Sequence, residues 1–140
     1  MSIPPAVGTV LELAITSNDE VVIVRQRVRA SAIELGLSLV DQTKVVTAAS
    51  ELARNTLVHA GGGRARIEIL QQPGGRRGLR LVFSDDGPGI PDMRLALTDG
   101  WSSGSGLGLG LSGSRRLVDE FDLASEPGQG TVVTVTKWTR

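Results

Sequence analysis

Two side chains on one predicted helix have the types and the spacing needed to act on a phosphate group. Glu51 and Asn55 stand four residues apart, so a helix brings both side chains to the same side. A carboxylate accepts a proton or orients a hydroxyl, and an amide oxygen is a hard ligand suited to Mg²⁺. The pair predicts phosphate chemistry, and a solvated helix face is the alternative.

Two neighbours on the same helix are weaker candidates. Arg54 either contacts a phosphate or extends along the surface, and the sequence leaves both interpretations open. His59, the only histidine, ends the helix, where the helix dipole favours it. That role is preferred here to a catalytic one.

An acidic turn follows a predicted strand directly and contains Asp85, Gly87 and Gly89. Asp85 can accept a hydrogen bond from an exocyclic amine, which would select adenine over guanine at that position. The two glycines lack a Cβ and would let the backbone approach a planar base. An ordinary turn is the alternative, because Asp before Gly is common in turns.

A glycine-rich segment precedes a later helix, and six of the 18 glycines lie between positions 100 and 113. Residues 108–113 match the dinucleotide pattern GxGxxG, but no strand precedes them as that motif requires, and no P-loop pattern is present. Backbone N–H groups at a helix N-terminus nevertheless form an anion site. The segment is predicted to bind phosphates, and a flexible linker, which would lack the regular leucine alternation, is the alternative. The residues assigned to it are Gly106, Leu107, Gly108, Leu109 and Gly110.

The composition is that of one soluble globular domain over residues 1–140. Fifteen basic and 15 acidic side chains cancel, so neither nucleic acid nor a membrane surface is expected as a partner. The absence of cysteine excludes disulfides and thiolate metal sites. Because there is no membrane-spanning apolar run and no signal-peptide pattern, we expect a cytoplasmic location.

Hydrophobic periodicity predicts the elements that position these residues. A strand over 9–15 is followed by a helix that begins at a capping box of Ser17 and Glu20 and ends at Gly36. In a second helix, over about 41–59, one apolar face is expected to pack on the sheet, with Glu51 and Asn55 on nearly the opposite side. The residues of that apolar face are Val45, Ala49, Leu52 and Thr56.

The second half of the chain supplies the remaining strands. A hairpin over 65–70 and 79–83 precedes a long loop over 84–106, and the last strands cover 122–125 and 131–135. Between the loop and the last two strands, a helix is expected to carry Leu111, Leu117, Val118 and Phe121. This order predicts an α/β (α+β) two-layer sandwich, with a mixed, mostly antiparallel sheet and helices on one face.

The chain resembles the ATP-binding (Bergerat) fold of the GHKL superfamily, which includes gyrase-type ATPases, Hsp90, histidine kinases and MutL. The likeness lies in the order and spacing of three segments: the helix with Glu51 and Asn55, the acidic turn and the glycine-rich segment. Glu51 and Asn55 match its N-box, Asp85 to Gly89 its DxGxG box, and residues 106–110 its second glycine box. Thr131 is similar to a late threonine whose hydroxyl supports the adenine-binding aspartate. The resemblance implies ATP and Mg²⁺ as cofactors, with Asn55 holding Mg²⁺ and Glu51 serving as the catalytic residue.

Within the superfamily the chain most resembles the RsbT-type serine/threonine switch kinases of the anti-sigma regulatory factor family. Residues 50–55, 99–102, 115–121 and 136–140 carry this likeness. It implies phosphorylation of a STAS-domain antagonist in a stress-signalling complex (the stressosome) and, after release, activation of a PP2C-type phosphatase.

Three alternatives share the same nucleotide-binding elements. One is an RsbW- or SpoIIAB-like anti-sigma factor kinase, and another is an ATP-binding interaction module without kinase activity. The catalytic fragment of a sensor histidine kinase is disfavoured, because His59 lies within the N-box and there is no dimerisation helix pair.

Overall fold

The computed structural model describes residues 5–89 and 111–140. These ranges fold into five strands and three helices in the order βααββ, then αββ. The elements are β1 (Ala6–Ile15), α1 (Asn18–Leu35), α2 (Leu39–Ala60), β2 (Gly63–Gln71), β3 (Arg77–Asp85), α3 (Leu111–Leu117), β4 (Glu120–Glu126) and β5 (Gly130–Trp138).

The strands form one open sheet in the order β1-β2-β3-β5-β4. All four pairings within the described ranges are antiparallel, so the predicted two-layer α+β sandwich is confirmed and the expected mixed character is absent there. One inward row crosses all five strands and packs against the helices. It consists of Leu11, Ile67, Leu81, Val135 and Phe121.

Short-range capping fixes the ends of α1. The Ser17 hydroxyl accepts a hydrogen bond from the Glu20 N–H at 3.3 Å, as the capping box predicts. The Glu20 carboxylate bonds the backbone N–H of Thr16 at 2.8 Å instead of that of Ser17, so the box is displaced by one residue. Gly36 ends the helix in the left-handed conformation, with φ of 86°.

The helix α2 packs on the sheet as predicted and is slightly longer than expected. Ser38 caps its start by accepting a hydrogen bond from the Asp41 N–H, and Gly61 ends it with φ of 77°. The predicted inward face is buried along its whole length, from Val45 to Thr56. None of the helices in the described ranges combines the length and the apolar character needed to span a membrane.

The end of β5 fixes the first turn of α2. Lys137 is 3% exposed, and its Nζ lies 3.4 Å from Asp41 Oδ1 and 3.5 Å from Asp119 Oδ1. Arg140 adds a second cation, with its Nη2 2.7 Å from Asp119 Oδ1 and its Nε 3.7 Å from Asp41 Oδ2. Two carboxylates are thus shared by two cations, which ties the helix bearing Glu51 and Asn55 to the sheet.

The helix predicted to carry Phe121 is shorter than expected. The helix α3 ends at Leu117, so Val118 follows it, and Phe121 lies in β4 opposite Val135 of β5. The backbone N–H of Asp119 already donates to the Thr136 carbonyl at 2.9 Å, so pairing with β5 begins directly after the helix. Strand pairing therefore overrides an apolar spacing that also suits a helix.

The outer face of the sheet carries an ion-pair ladder around one buried carboxylate. Glu68 is 4% exposed, and its two oxygens accept hydrogen bonds from Arg80 Nε at 2.6 Å and from Arg66 Nε at 3.2 Å. The hydrogen bond from Arg80 holds the pKa of Glu68 below its ordinary value, although burial opposes this shift.

Replacing Glu68 with glutamine is expected to lower the free energy of unfolding by about 1–2 kcal/mol at neutral pH, because charge-assisted hydrogen bonds are lost. A lowered pKa contributes stability above the unfolded value, near 4.3, that is lost as the pH falls through the native pKa. E68Q should therefore lose less stability than the wild type between about pH 5 and pH 3.

Urea unfolding across this pH range measures the effect. The matched control is Glu12→Gln, which removes a 3.0 Å ion pair from an exposed position of the same ladder. That change should cost about 0.5 kcal/mol or less. The prediction would be contradicted if the free energy of unfolding fell equally steeply with decreasing pH in E68Q and in the wild type.

Candidate functional site

An open cavity lies between α2 and the edge of the sheet where β3 ends and β5 begins. Apolar side chains form much of its lining and a few polar groups converge on it, as in sites for small molecules. The lining residues are Leu52, Asn55, Thr56, His59, Phe83, Asp85, Leu111, Thr131 and Val133.

The cavity brings together three residues that the sequence predicted from separate elements. Asn55 comes from α2, Asp85 is the last residue of β3, and Thr131 is its partner on β5. The expectation that Asn55 points nearly opposite the buried face needs correction. Asn55 lies roughly a quarter turn from that face, so it reaches the cavity beside Leu52.

Other predicted residues lie outside the lining of this cavity. Glu51 is half-buried one turn before Asn55, and Arg54 is exposed. The predicted phosphate-binding loop, residues 106–110, lies outside the described ranges. The described part of the site therefore consists of apolar walls and five polar side chains, those of Asn55, Thr56, His59, Asp85 and Thr131.

Asp85 presents a nearly buried carboxylate to the cavity. It is 8% exposed, and its Oδ1 accepts a hydrogen bond from the Gly87 N–H at 2.9 Å. No second hydrogen bond reaches this carboxylate from the residues that the structure describes. Its Oδ2 therefore retains the capacity to accept a hydrogen bond from a ligand.

Thr131 is held by a residue that sequence reasoning missed. Its Oγ1 lies 3.0 Å from Ser125 Oγ, and Ser125 also donates to the Gly130 carbonyl at 3.2 Å. No side-chain hydrogen bond joins Thr131 to Asp85 among the described residues, and the support of Asp85 by the Thr131 hydroxyl stays a prediction. The available signal was the alternation along β4, which turns Ser125 inward with Phe121.

The glycines near Asp85 are required by packing inside the protein. A Cβ on Gly87 would lie 2.6 Å from the Ala60 side chain, and one on Gly89 would overlap the Glu126 carbonyl. A Cβ on Gly130 would overlap the backbone carbonyl of Asp85. The acidic turn is therefore pressed between the end of α2 and the β4–β5 turn.

Gly130→Ala is expected to lower the free energy of unfolding by about 2 kcal/mol or more, because it combines a positive φ of 97° with this overlap. Gly128→Ala is the matched control, since its φ is 80° and a Cβ there would have nothing within 4 Å. Strain alone should cost G128A about 1 kcal/mol. Urea unfolding of both variants tests the difference, and equal losses would show that contact with Asp85 is unimportant.

His59 is a site residue and not only a helix-end residue. It is half-buried, lines the cavity, and has its Nε2 3.2 Å from the Gly89 carbonyl oxygen. The sequence interpretation was incomplete because this contact joins residues 30 positions apart.

Comparison with solved structures supports the fold. The RsbU and RsbW domains of a Mycobacterium tuberculosis protein match with a TM-score of 0.62 and 19% identity, covering 95% of this chain and 33% of that one. The catalytic domain of the histidine kinase ThkA matches with a TM-score of 0.50 and 17% identity, covering 93% and 95% of the two chains. The chain thus spans about a third of the first of these proteins.

Sequence comparison identifies the family. Residues 40–139 match the model of the histidine kinase-, DNA gyrase B- and HSP90-like ATPases. The serine/threonine-protein kinase RsbT of Bacillus subtilis is 47% identical over 121 residues, which cover 86% of this chain and 90% of RsbT. An anti-sigma F factor of a Thermoanaerobacter species is 26% identical, covering 81% and 82%. The chain therefore belongs to the histidine kinase-, DNA gyrase B- and HSP90-like ATPase family, and within it to the group of the serine/threonine-protein kinase RsbT.

Proposed function

We propose that the chain is an ATP- and Mg²⁺-dependent protein serine/threonine kinase that acts as a partner switch. Its substrate is a STAS-domain antagonist protein and, once released, it activates a PP2C-type phosphatase in a bacterial stress-response pathway. The observation that carries the proposal is the 47% identity to RsbT over nearly the full length of both chains. The convergence of Asn55 and Asp85 on one cavity supports it independently.

The cavity suits an adenine base. Asp85 Oδ2 can accept a hydrogen bond from the exocyclic amine of adenine. Because the carboxylate is nearly buried, this hydrogen bond would be stronger than one in water. Leu52, Phe83 and Val133 offer apolar surface for a planar ring. Guanine carries a carbonyl oxygen in place of that amine, so the same acceptor would repel it.

The donor set also suits Mg²⁺ in a phosphate complex. Mg²⁺ keeps several waters and takes few protein ligands besides substrate phosphates, so a single amide oxygen from Asn55 is sufficient. Leu111, which lines the cavity, directly follows the predicted phosphate loop of residues 106–110 in the sequence. When bound, the cation neutralises charge on the transferred phosphoryl group.

The proposed reaction transfers the γ-phosphoryl group of ATP to a serine or threonine hydroxyl of the partner protein. The bond from the γ-phosphorus to the β,γ-bridging oxygen breaks, a new P–O bond forms to the hydroxyl oxygen, and ADP leaves. Glu51 orients the hydroxyl and accepts its proton. Its half-buried position one turn from Asn55, outside the cavity lining, is suited to a hydroxyl that arrives from another protein.

Incubation of the purified chain with γ-labelled ATP, Mg²⁺ and candidate STAS-domain proteins tests the proposal. Transfer of label to one STAS protein, and none to a variant with its acceptor residue replaced by alanine, is expected. Binding of ATP without transfer to any candidate would instead favour an interaction module.

An anti-sigma factor kinase is the second candidate, supported by the 26% identity to anti-sigma F factors over 81% of the chain. The chemistry would be the same, but the chain would hold a sigma factor. Recovery of a sigma factor with the tagged chain, and of no PP2C-type phosphatase, would favour this candidate.

A further inference from the structure

Three residues of α2 follow one another at intervals of four along the side of the helix that borders the cavity. They are Glu51, Asn55 and His59, and the last two line the cavity itself. In the proposed function Glu51 serves the hydroxyl and Asn55 serves the phosphates. His59 lies one turn further along, next to the acidic turn, and takes no part in the proposed reaction.

The contact between His59 and the acidic turn has a defined direction. The Nε2 atom lies 3.2 Å from the Gly89 carbonyl oxygen, and a carbonyl only accepts hydrogen bonds. Nε2 must therefore carry a proton and donate it, which fixes the ring tautomer of the neutral histidine. A single side chain thereby links α2 to the end of the turn that begins at Asp85.

The opposite side of the same turn is held by the β4–β5 connection. The Pro88 carbonyl accepts a hydrogen bond from the Gly128 N–H at 2.8 Å. Gly89 has φ of 77° and packs so closely on the Glu126 carbonyl that no Cβ fits. The turn is therefore fixed on the side of the sheet, and the bond from His59 fixes it on the side of α2.

We propose that His59 is a positioning residue for nucleotide recognition. By donating to the Gly89 carbonyl, it holds the turn of residues 85–89 against α2 and so sets the place of the Asp85 carboxylate relative to Asn55. This inference rests on the proposed function, because it takes Asp85 as the group that reads adenine. It predicts that His59 determines the preference for ATP over GTP.

The test measures ATP and GTP affinities of the full chain by calorimetry for the wild type, His59→Ala and His59→Gln. H59A should bind ATP about five- to tenfold more weakly, as expected for one lost hydrogen bond, with GTP affinity nearly unchanged. Glutamine can present an amide N–H toward the same carbonyl, so H59Q should recover most of the ATP preference. Val58→Ala, at a 52% exposed position of the same helix, is the control and should match the wild type.

Steady-state kinetics add a second readout. H59A should raise KM for ATP with little change in kcat, because the phosphate end of the site is intact. A purely structural role would instead lower the folded fraction and reduce ATP and GTP binding equally. That result, or an unchanged ATP preference in H59A, overturns the proposal.

Nitrogen NMR of the wild type at mildly alkaline pH supplies a test that does not depend on a variant folding. The Nε2–H tautomer supports the proposal, and the Nδ1–H tautomer overturns it. If the wild type bound neither nucleotide, the proposed function would fail together with this inference. If the wild type prefers ATP and H59A does so equally, only the role of His59 fails.

Discussion

Asn55→Ala will reduce phosphate transfer by on the order of 100-fold or more. In the proposed function, Asn55 supplies the one amide oxygen that the described cavity offers to a metal–phosphate complex. Preorganised groups of this kind supply much of the catalysis in phosphoryl transfer, and removal of one such group costs on the order of 10²–10³ in rate. The measurement is the initial rate of label transfer from ATP to the partner protein at saturating partner concentration.

The loss should be tied to Mg²⁺ and not to folding. In the wild type, ATP should bind more tightly with Mg²⁺ than with a chelator present, and N55A should lose this difference. Val58→Ala, a change at an exposed position of the same helix, should retain both the rate and the Mg²⁺ effect. If N55A kept the Mg²⁺-dependent part of ATP binding, Asn55 would not be the metal ligand.

The parts of the fold that depend on near neighbours could be predicted from the sequence. The cap of α1 at Ser17 and its end at Gly36 require only residues within one turn of each other. The alternation of Arg66 and Ile67 along β2 reports directly which side chains face the helices. These features need no knowledge of the partner strands.

The end of α3 could not be predicted in this way. The spacing from Leu111 to Phe121 suits a helix, and the same Phe121 suits an inward position on a strand. The choice depends on the pairing of Phe121 with Val135, and that contact is not visible in the local pattern. When the spacing of a short apolar stretch fits both a helix and a strand, the rest of the sheet therefore decides which of the two forms.

In the candidate site, too, local features could be predicted from the sequence and contacts between distant segments could not. Residue type and spacing made Asn55 and Asp85 candidates, each with a plain alternative, and the structure places both on one cavity. The contact of His59 with Gly89 and that of Ser125 with Thr131 depend on how distant segments meet. The glycines of the acidic turn were also found, but the structure gives them an internal packing reason that the sequence does not contain.

The second large effect concerns Glu51, the proposed general base. Glu51→Gln should lower kcat for phosphate transfer by roughly 10²–10⁴-fold, the usual contribution of a general base, and leave the Kd for ATP within about twofold of wild type. Glutamine keeps the size and helix propensity of the side chain but cannot accept the hydroxyl proton. Because Glu51 lies outside the cavity lining, its loss should not disturb the part of the site proposed to bind adenine or the part around Asn55.

Single-turnover transfer and calorimetric ATP binding, measured on the same preparations, separate the two effects. Thr47→Ala is the control, since Thr47 lies one turn before Glu51 on the same helix, and its exposed hydroxyl donates to the Thr43 carbonyl at 2.8 Å. A fall in transfer with ATP binding preserved would fit a residue that serves a hydroxyl carried by another protein. Transfer at the wild-type rate would remove Glu51 from the mechanism. Parallel losses of transfer and ATP binding would instead assign Glu51 to nucleotide binding. A general base acts only on phosphate transfer, the step that follows ATP binding.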